Sequence, residues 1–352
     1  MESKIRRNQD FMRRLFTGRP ERHGLVVSVV HPPIPEELGD YAISSRPVRD
    51  WLPWFRAQYA AQCEWLKAFD DDSVPFINLF TNTGVFAAAF GCPLEKVPGS
   101  SACARPIVHS AAEAGRLPEP DYRSAPILAR LFEMADALRA EFGPDVPLSP
   151  PDIQSPLDIA ALIWDKTDFF VAMHEEPAAV AELVDKCTRL LCAFIPAYIR
   201  HVGAINTLCY GRWYAPGDLG CYVAEDECGS INPEMFERFG MPGLRALSQA
   251  ANGLFMHSCA NADHQYPLLR TLPNLRGLNR VFSKAQNFSV PQRMLESFAD
   301  RTVLMLSGPV QKGLDMLDAA PPGTRFLFAR TFKAINDDAR RQYDELRRRC
   351  EK

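Results

Sequence analysis

The chain has 352 residues, with 40 lysines and arginines against 43 aspartates and glutamates, a net charge of −3. Hydrophobic residues make up 47% and charged residues 24%, ordinary globular proportions that exclude disorder, collagen and coiled coil. The near-even charge excludes a nucleic-acid partner, which a basic excess or stripe would announce.

Arg6-Arg7, Arg13-Arg14, Arg340-Arg341 and Arg347 to Arg349 lie near the termini, with Asp10, Asp337, Asp338, Asp344 and Glu345 among them. They read as solvated helix faces. No apolar run is long enough to span a bilayer. The first fourteen residues carry charges with no apolar signal core behind them, so a cytoplasmic protein is expected, with no membrane partner. Ten cysteines are scattered without a CxxC pair, and in that compartment they stay reduced, most of them as small core residues.

In chain order, residues 1–20 predict a basic amphipathic helix. The β-branched run from Leu25 to Val30 predicts a buried strand that stops at His31. A helix-rich stretch from Trp51 to Ala68 precedes a strand from Val74 to Phe80 and a loop with Thr81, Asn82 and Gly84. Pro126 to Phe142 predicts a helix, Val146 to Leu148 a short strand, and Asp152 and Gln154 fall in the proline-rich turn that closes it.

Helices follow from Ile159 to Trp164 and from Pro177 to Tyr198. Ala204 to Tyr210 predicts a strand, and Gly211 to Ser230 a long loop. Asn232-Pro233-Glu234 predicts a helix start, with an asparagine cap, proline in the first turn and an acid behind it. Gly253 to Cys259 predicts a strand and Tyr266 to Leu272 a helix. Leu275 to Phe282, Thr302 to Leu306 and Phe326 to Ala329 predict further strands.

This alternation, with no repeat of solenoid period, predicts a parallel α/β sheet closed as a TIM (β/α)8 barrel. Residues 1–352 form one domain in this reading, with the first twenty as an N-terminal helical extension. Polar and titratable residues fall directly after strands: His31, Asn78, Asp152, Gln154, Tyr210, His257, Cys259, Ser307 and Arg330. A barrel gathers such residues at one mouth, where barrel active sites lie; an open sheet would spread them. Neither a GxGxxG nor a P-loop supports the open sheet.

His257 and Cys259 are two apart on a strand, so their side chains point to the same side. An imidazole and a thiolate in that relation suit zinc; the structural alternative is two buried packing partners. Two ligands are too few, and a third has to come from another strand or loop. Residues 221–228 hold Cys221, Cys228 and Asp226, any of which would serve as ligand or general acid or base, while Glu225 and Glu227 read as a solvated acidic loop.

Asp152 is either a catalytic acid or a carboxylate bonded to its own turn. His31, Asn78, Gln154, Trp213, Ser307 and Arg330 are candidate substrate contacts, with Tyr210 and Asp226 as further catalytic candidates. A Ser-His-Asp hydrolase gets little support, because no GxSxG elbow is present and Ser258 diverges from its neighbour His257.

Several of these segments together resemble the uroporphyrinogen decarboxylase-like superfamily. They are residues 147–158 with Glu176-Pro177, residues 231–239 with Pro242, and His257 to Ala260. Residues 17–22, Val74-Pro75 and Phe90 to Cys92 resemble its methyltransferase-like members. The resemblance implies a TIM barrel with its site at the mouth formed by the strands' C-terminal ends. True decarboxylases of the family carry an N-terminal arginine-rich motif, which has no counterpart near His31.

The corrinoid-dependent methyltransferase branch implies a zinc held by an HxC pair, matched by His257 and Cys259, and by a later cysteine. Residues 328–332 hold no cysteine, so either Cys221 or Cys228 substitutes, Cys221 first, or zinc is lost. The expectation is a zinc-dependent methyltransferase moving a methyl group between a small-molecule substrate and a corrinoid on a partner protein, acting as a monomer or homodimer. Its rivals are a metal-free decarboxylase or lyase using Asp152 or Asp226, and a barrel that only binds a tetrapyrrole or corrinoid.

Overall fold

A computed structural model describes residues 1–352 except 19, 32, 80, 97–101, 210, 211, 281–290 and 352. Its strands are β1 (Gly24–Val29), β2 (Leu94–Lys96), β3 (Ala102–Ala104), β4 (Cys221–Ala224), β5 (Leu254–Ser258), β6 (Leu275–Arg280), β7 (Val303–Ser307) and β8 (Phe326–Phe332). Six of them form one parallel sheet in the order β1-β8-β7-β6-β5-β4, while β2 and β3 pair antiparallel outside it.

Single parallel bridges join the two edges of the sheet. The Leu25 carbonyl accepts the Asp72 N–H at 2.9 Å. Ile77 then bridges Leu148, Leu148 bridges Ile205, and Gln154 bridges Ala224. The ring is a TIM barrel, as the alternation predicted, and closure gives each edge strand of the parallel sheet a neighbour.

The N-terminal helix, Glu2–Thr17, buries Phe11, Met12, Leu15 and Phe16. The Phe16 ring meets Phe255 edge-on at 4.9 Å, and a side chain at Gly24 would strike Leu15 and Leu327. The helix thus packs against the beginnings of the strands and seals the end of the barrel opposite the mouth. Burial of such a stripe contributes roughly 25 cal/mol per Å² of apolar surface.

Two expectations change. Val74 to Leu79 and Ala204 to Cys209 form no continuous strand; within them Ile77, Ile205 and Asn206 make single bridges. The stretch predicted as a loop, residues 211–230, contains β4. Asn206 makes this possible: its Oδ1 accepts N–H groups of Leu208 and Ala215, and its Nδ2 donates to carbonyls of Leu208 and Trp213. The chain is stapled back towards the barrel's closed end, from which β4 rises beside β5. A four-residue apolar run is too short to separate from a loop by periodicity. Among the described residues no helix is long and apolar enough to cross a membrane.

Candidate active site

Register decides which side chains meet. Ala224 pairs with His257, and His257 with Asn279. The Tyr222 ring lies 6.4 Å from the His257 ring and nearly parallel to it. Tyr222, His257 and Asn279 therefore share the inner face.

His257 Nε2 lies 3.1 Å from Cys259 Sγ, and His257 Nδ1 lies 2.5 Å from Asn279 Oδ1. Asn279 Nδ2 donates to the Met305 carbonyl at 2.8 Å, which fixes the amide with its oxygen towards the imidazole. The ring proton then sits on Nδ1, and Nε2 presents its lone pair to the sulfur side. Burial lowers the His257 pKa against the opposing Asn279 bond, so the ring is neutral. Burial, with Asp226 nearby, pushes the Cys259 thiol up to about 11. At neutral pH the pair is a thiol facing an imidazole lone pair.

Asp226 follows β4 and accepts the Cys259 N–H with Oδ1 at 2.5 Å. Its own N–H and that of Glu227 donate to the buried Asp158 carboxylate. Asp158 sits in the first turn of the helix Pro156–Ile163, which Ser155 caps. That carboxylate carries the acidic loop, so Glu225 is a fully buried group and not the solvated one the sequence suggested. Burial raises both Asp158 and Glu225.

Asp152 is buried, and its N–H donates to Thr81 Oγ1 at 3.2 Å. Gln154 Nε2 donates to Asp152 Oδ1 at 2.9 Å. Burial pushes the Asp152 carboxyl up to about 7, with Asp226 adding to it. The site therefore holds a carboxyl that exchanges its proton near neutral pH.

The structure brings His257, Cys259, Asp226, Asp152 and Gln154 together, and adds Asn279, which the sequence reading missed. Asn279 lies in a buried strand, in register with the histidine, a pairing that only the fold supplies. Other candidates separate from the group. Cys221 is the main correction: it lies three residues before Ala224, on the opposite side of the strand from Tyr222, and its neighbour is Cys192 of the helix Pro177–Val202. Cys228 is fully buried behind Glu225.

Arg330 reaches Gln342 of the C-terminal helix and the Gly308 carbonyl, outside the barrel. Trp213, a candidate substrate contact, is fully buried, and its neighbour Tyr214 bonds to Gln9 of the sealing helix, away from the mouth. Ser307 ends β7 exposed, beside Gly308 and Lys312. His31 is half-buried, 6.4 Å from the Trp65 ring. Asn78 accepts from Ser149 Oγ at 3.1 Å and lines a cavity with Thr81. Tyr210 lies outside the described residues.

The donor set meets a zinc ion halfway. An imidazole nitrogen with its other nitrogen held by an amide, converging with a sulfur, is the arrangement zinc ligands adopt. Among the described residues no group of three histidine, cysteine, aspartate or glutamate side chains completes a metal site. The pair fits two positions of such an ion and does not build the three-ligand set the resemblance implied.

Comparison with known proteins agrees with this fold. The family model for uroporphyrinogen decarboxylase (URO-D) matches residues 60–279. No curated protein matches the sequence. Among solved structures, a methyltransferase from Methanosarcina mazei superposes with a TM-score of 0.66 at 14% identity, covering 98% of each chain. At that identity the likeness is one of fold.

Proposed function

The chain belongs to the uroporphyrinogen decarboxylase family, and from that premise we propose that it is a methyltransferase. It moves a methyl group between a small substrate and a corrinoid carried by a partner protein. The observation that supports this is the convergence of His257 Nε2 and Cys259 Sγ at 3.1 Å beside two carboxyl groups. In the finer form of the proposal, zinc takes His257 and Cys259 as its two protein ligands. Bound there, it would keep a thiol as thiolate at neutral pH.

The chain's own residues do the rest. Asn279 holds the imidazole in the tautomer whose Nε2 faces the sulfur. Asp226 fixes the backbone of Cys259, and Asp152 gives or takes a proton at its carboxyl.

The test is elemental analysis of the purified protein beside His257→Ala and Cys259→Ala, followed by a methyl-transfer assay with a free corrinoid. Near-stoichiometric zinc in the wild type, lost in both variants, with transfer lost alongside it, is the expected result. A metal-free wild type whose turnover survives His257→Ala overturns the proposal.

A second reading, a metal-free decarboxylase or lyase, rests on Asp152, a buried carboxyl pushed up to about 7. It requires turnover that survives chelators and disappears in Asp152→Asn.

A further inference from the structure

Gln154 bridges Ala224, Ala224 pairs with His257, and His257 pairs with Asn279. The four form one row across the inner face, so the Gln154 backbone lies two strand spacings, roughly 10 Å, from that of His257. Asp152 stands two residues earlier and on the same side, since the two side chains meet.

Two buried amides sit in this row and differ in one respect. The Asn279 amide is engaged at both ends, by His257 Nδ1 and by the Met305 carbonyl. The Gln154 amide is engaged at one end, where Nε2 donates to Asp152 Oδ1 at 2.9 Å. Among the described residues nothing bonds to Gln154 Oε1 or to Asp152 Oδ2. Gln154 is only 6% exposed and Asp152 3%, yet neither oxygen is shut off from solvent. Water occupies such a place until a ligand's donor displaces it.

The bond between them has a second effect. With Oδ1 accepting the Gln154 N–H, the exchangeable Asp152 proton belongs to Oδ2, the open oxygen. The same N–H favours the ionised carboxyl against burial. Asp226, Cys209 and Cys259 are the titratable groups that act on Asp152. Burial raises both thiols, so they stay neutral where Asp152 titrates.

We propose that Gln154 is a substrate-binding and positioning residue: its N–H keeps the Asp152 proton on Oδ2, and its carbonyl oxygen accepts from the substrate. The substrate class is a compound whose proton-accepting atom has an N–H or O–H donor beside it. In the transfer the Asp152 Oδ2–H bond breaks and the proton bonds to a lone pair of the substrate's heteroatom. The electron pair left on the carboxylate is stabilised by the Gln154 N–H. That Asp152 gives this proton in turnover rests on the reading of the mouth as catalytic; the recognition of a donor and an acceptor side by side does not.

The test is a 13C NMR titration of the aspartate carboxyl carbons in the metal-free protein, with Asp152→Asn assigning the signal. Gln154→Met keeps the length and loses both polar atoms. It is expected to move the Asp152 midpoint up from about 7 by about 1–2 pH units, the worth of one hydrogen bond to a charged group. A side chain that only filled space would leave the midpoint in place.

Acetamide and acetone, added at about pH 6, are the ligand probes. They are near-isosteres and both offer Asp152 a carbonyl, but only acetamide has an N–H for Gln154. Acetamide is expected to perturb the Asp152 signal at a concentration about 2- to 10-fold lower, the range of one net hydrogen bond, and Gln154→Met abolishes the preference. An unmoved midpoint in folded Gln154→Met, equal action of the two probes on wild type, or no response to acetamide overturns the proposal. Since the probe comparison is made on wild type, a variant that fails to fold leaves it decisive. Failed methyl transfer with these results intact would remove the proposed activity and leave the role of Gln154 standing. Methyl transfer with an unmoved midpoint would do the reverse.

Discussion

Asn279 Oδ1 faces His257 Nδ1 at 2.5 Å, while Asn279 Nδ2 is spent on the Met305 carbonyl. One amide, anchored on β7, sets the tautomer of a histidine on β5 through a residue of β6. Since partners of this kind orient the first ligand, Asn279→Ala is expected to lower metal affinity or turnover by about 10- to 100-fold. Asn279→Asp keeps the acceptor towards Nδ1 but loses the donor to the Met305 carbonyl, and should fall between wild type and Asn279→Ala. Titration of metal affinity in the two variants checks this; an Asn279→Ala protein indistinguishable from wild type would sink it.

With Asp152 as the proton donor of the proposed reaction, its titration shapes the pH profile. Its carboxyl titrates at about 7 because burial penalises the charged form and Asp226 adds repulsion. As the proton donor, it is competent below that value and loses its proton above it. Turnover is therefore expected to fall as pH rises through about 7, and Asp152→Asn removes that limb. A profile whose alkaline limb is identical in Asp152→Asn assigns the proton elsewhere.

A titrating carboxyl with an effect on stability sits beside the middle of β1. Asp71 is fully buried, accepts from the Val27 N–H and the Ser73 hydroxyl, and titrates at about 7 through burial, with Asp72 adding to it. Its folded pKa is raised above the ordinary aspartate value of 3.8, so its contribution is fully present below about 4 and is lost as pH rises towards 7. Wild type should lose stability between pH 5 and pH 8 by at most about 3 kcal/mol from this group. Asp71→Asn, which keeps an acceptor, flattens the curve. Urea midpoints at the two pH values measure it, and an unchanged slope in the variant contradicts the assignment.

Much of this was readable from residues. Strand-helix alternation predicted the barrel, and the HxC spacing placed His257 and Cys259 on one side of β5, because side-chain direction on a strand depends only on period two. Cys221 was misplaced for the same reason. Which face of β4 it occupies depends on register against β5, and a four-residue strand carries too little pattern to show it. Glu225 was misjudged because its surroundings, Asp158 and Ser155, lie about 70 positions earlier. The Asn279–His257 pairing was missed because it joins two strands separated by a helix, a contact that composition and spacing cannot supply.

The last prediction concerns the crossing that lets β4 enter the ring. Gly253 has φ +143°, and a Cβ there would stand 2.5 Å from the Leu219 carbonyl oxygen and 3.0 Å from that of Asn274. Both obstacles are backbone, on the segments leading into β4 and β6, so neither can rotate away as a side chain would. The Gly253 carbonyl also accepts the Cys221 N–H at 3.1 Å, the first rung of the β4–β5 ladder. Gly253→Ala therefore combines a forbidden φ with a displaced rung. It should cost about 1–3 kcal/mol from the backbone conformation alone, with the close contacts adding to that. Gly143 also has positive φ, +81°, but meets nothing within 4 Å. Its replacement by alanine carries the conformational cost alone and is the milder of the two. Thermal unfolding of both variants ranks them, and Gly143→Ala proving the more damaging would show that close approach does not govern this crossing.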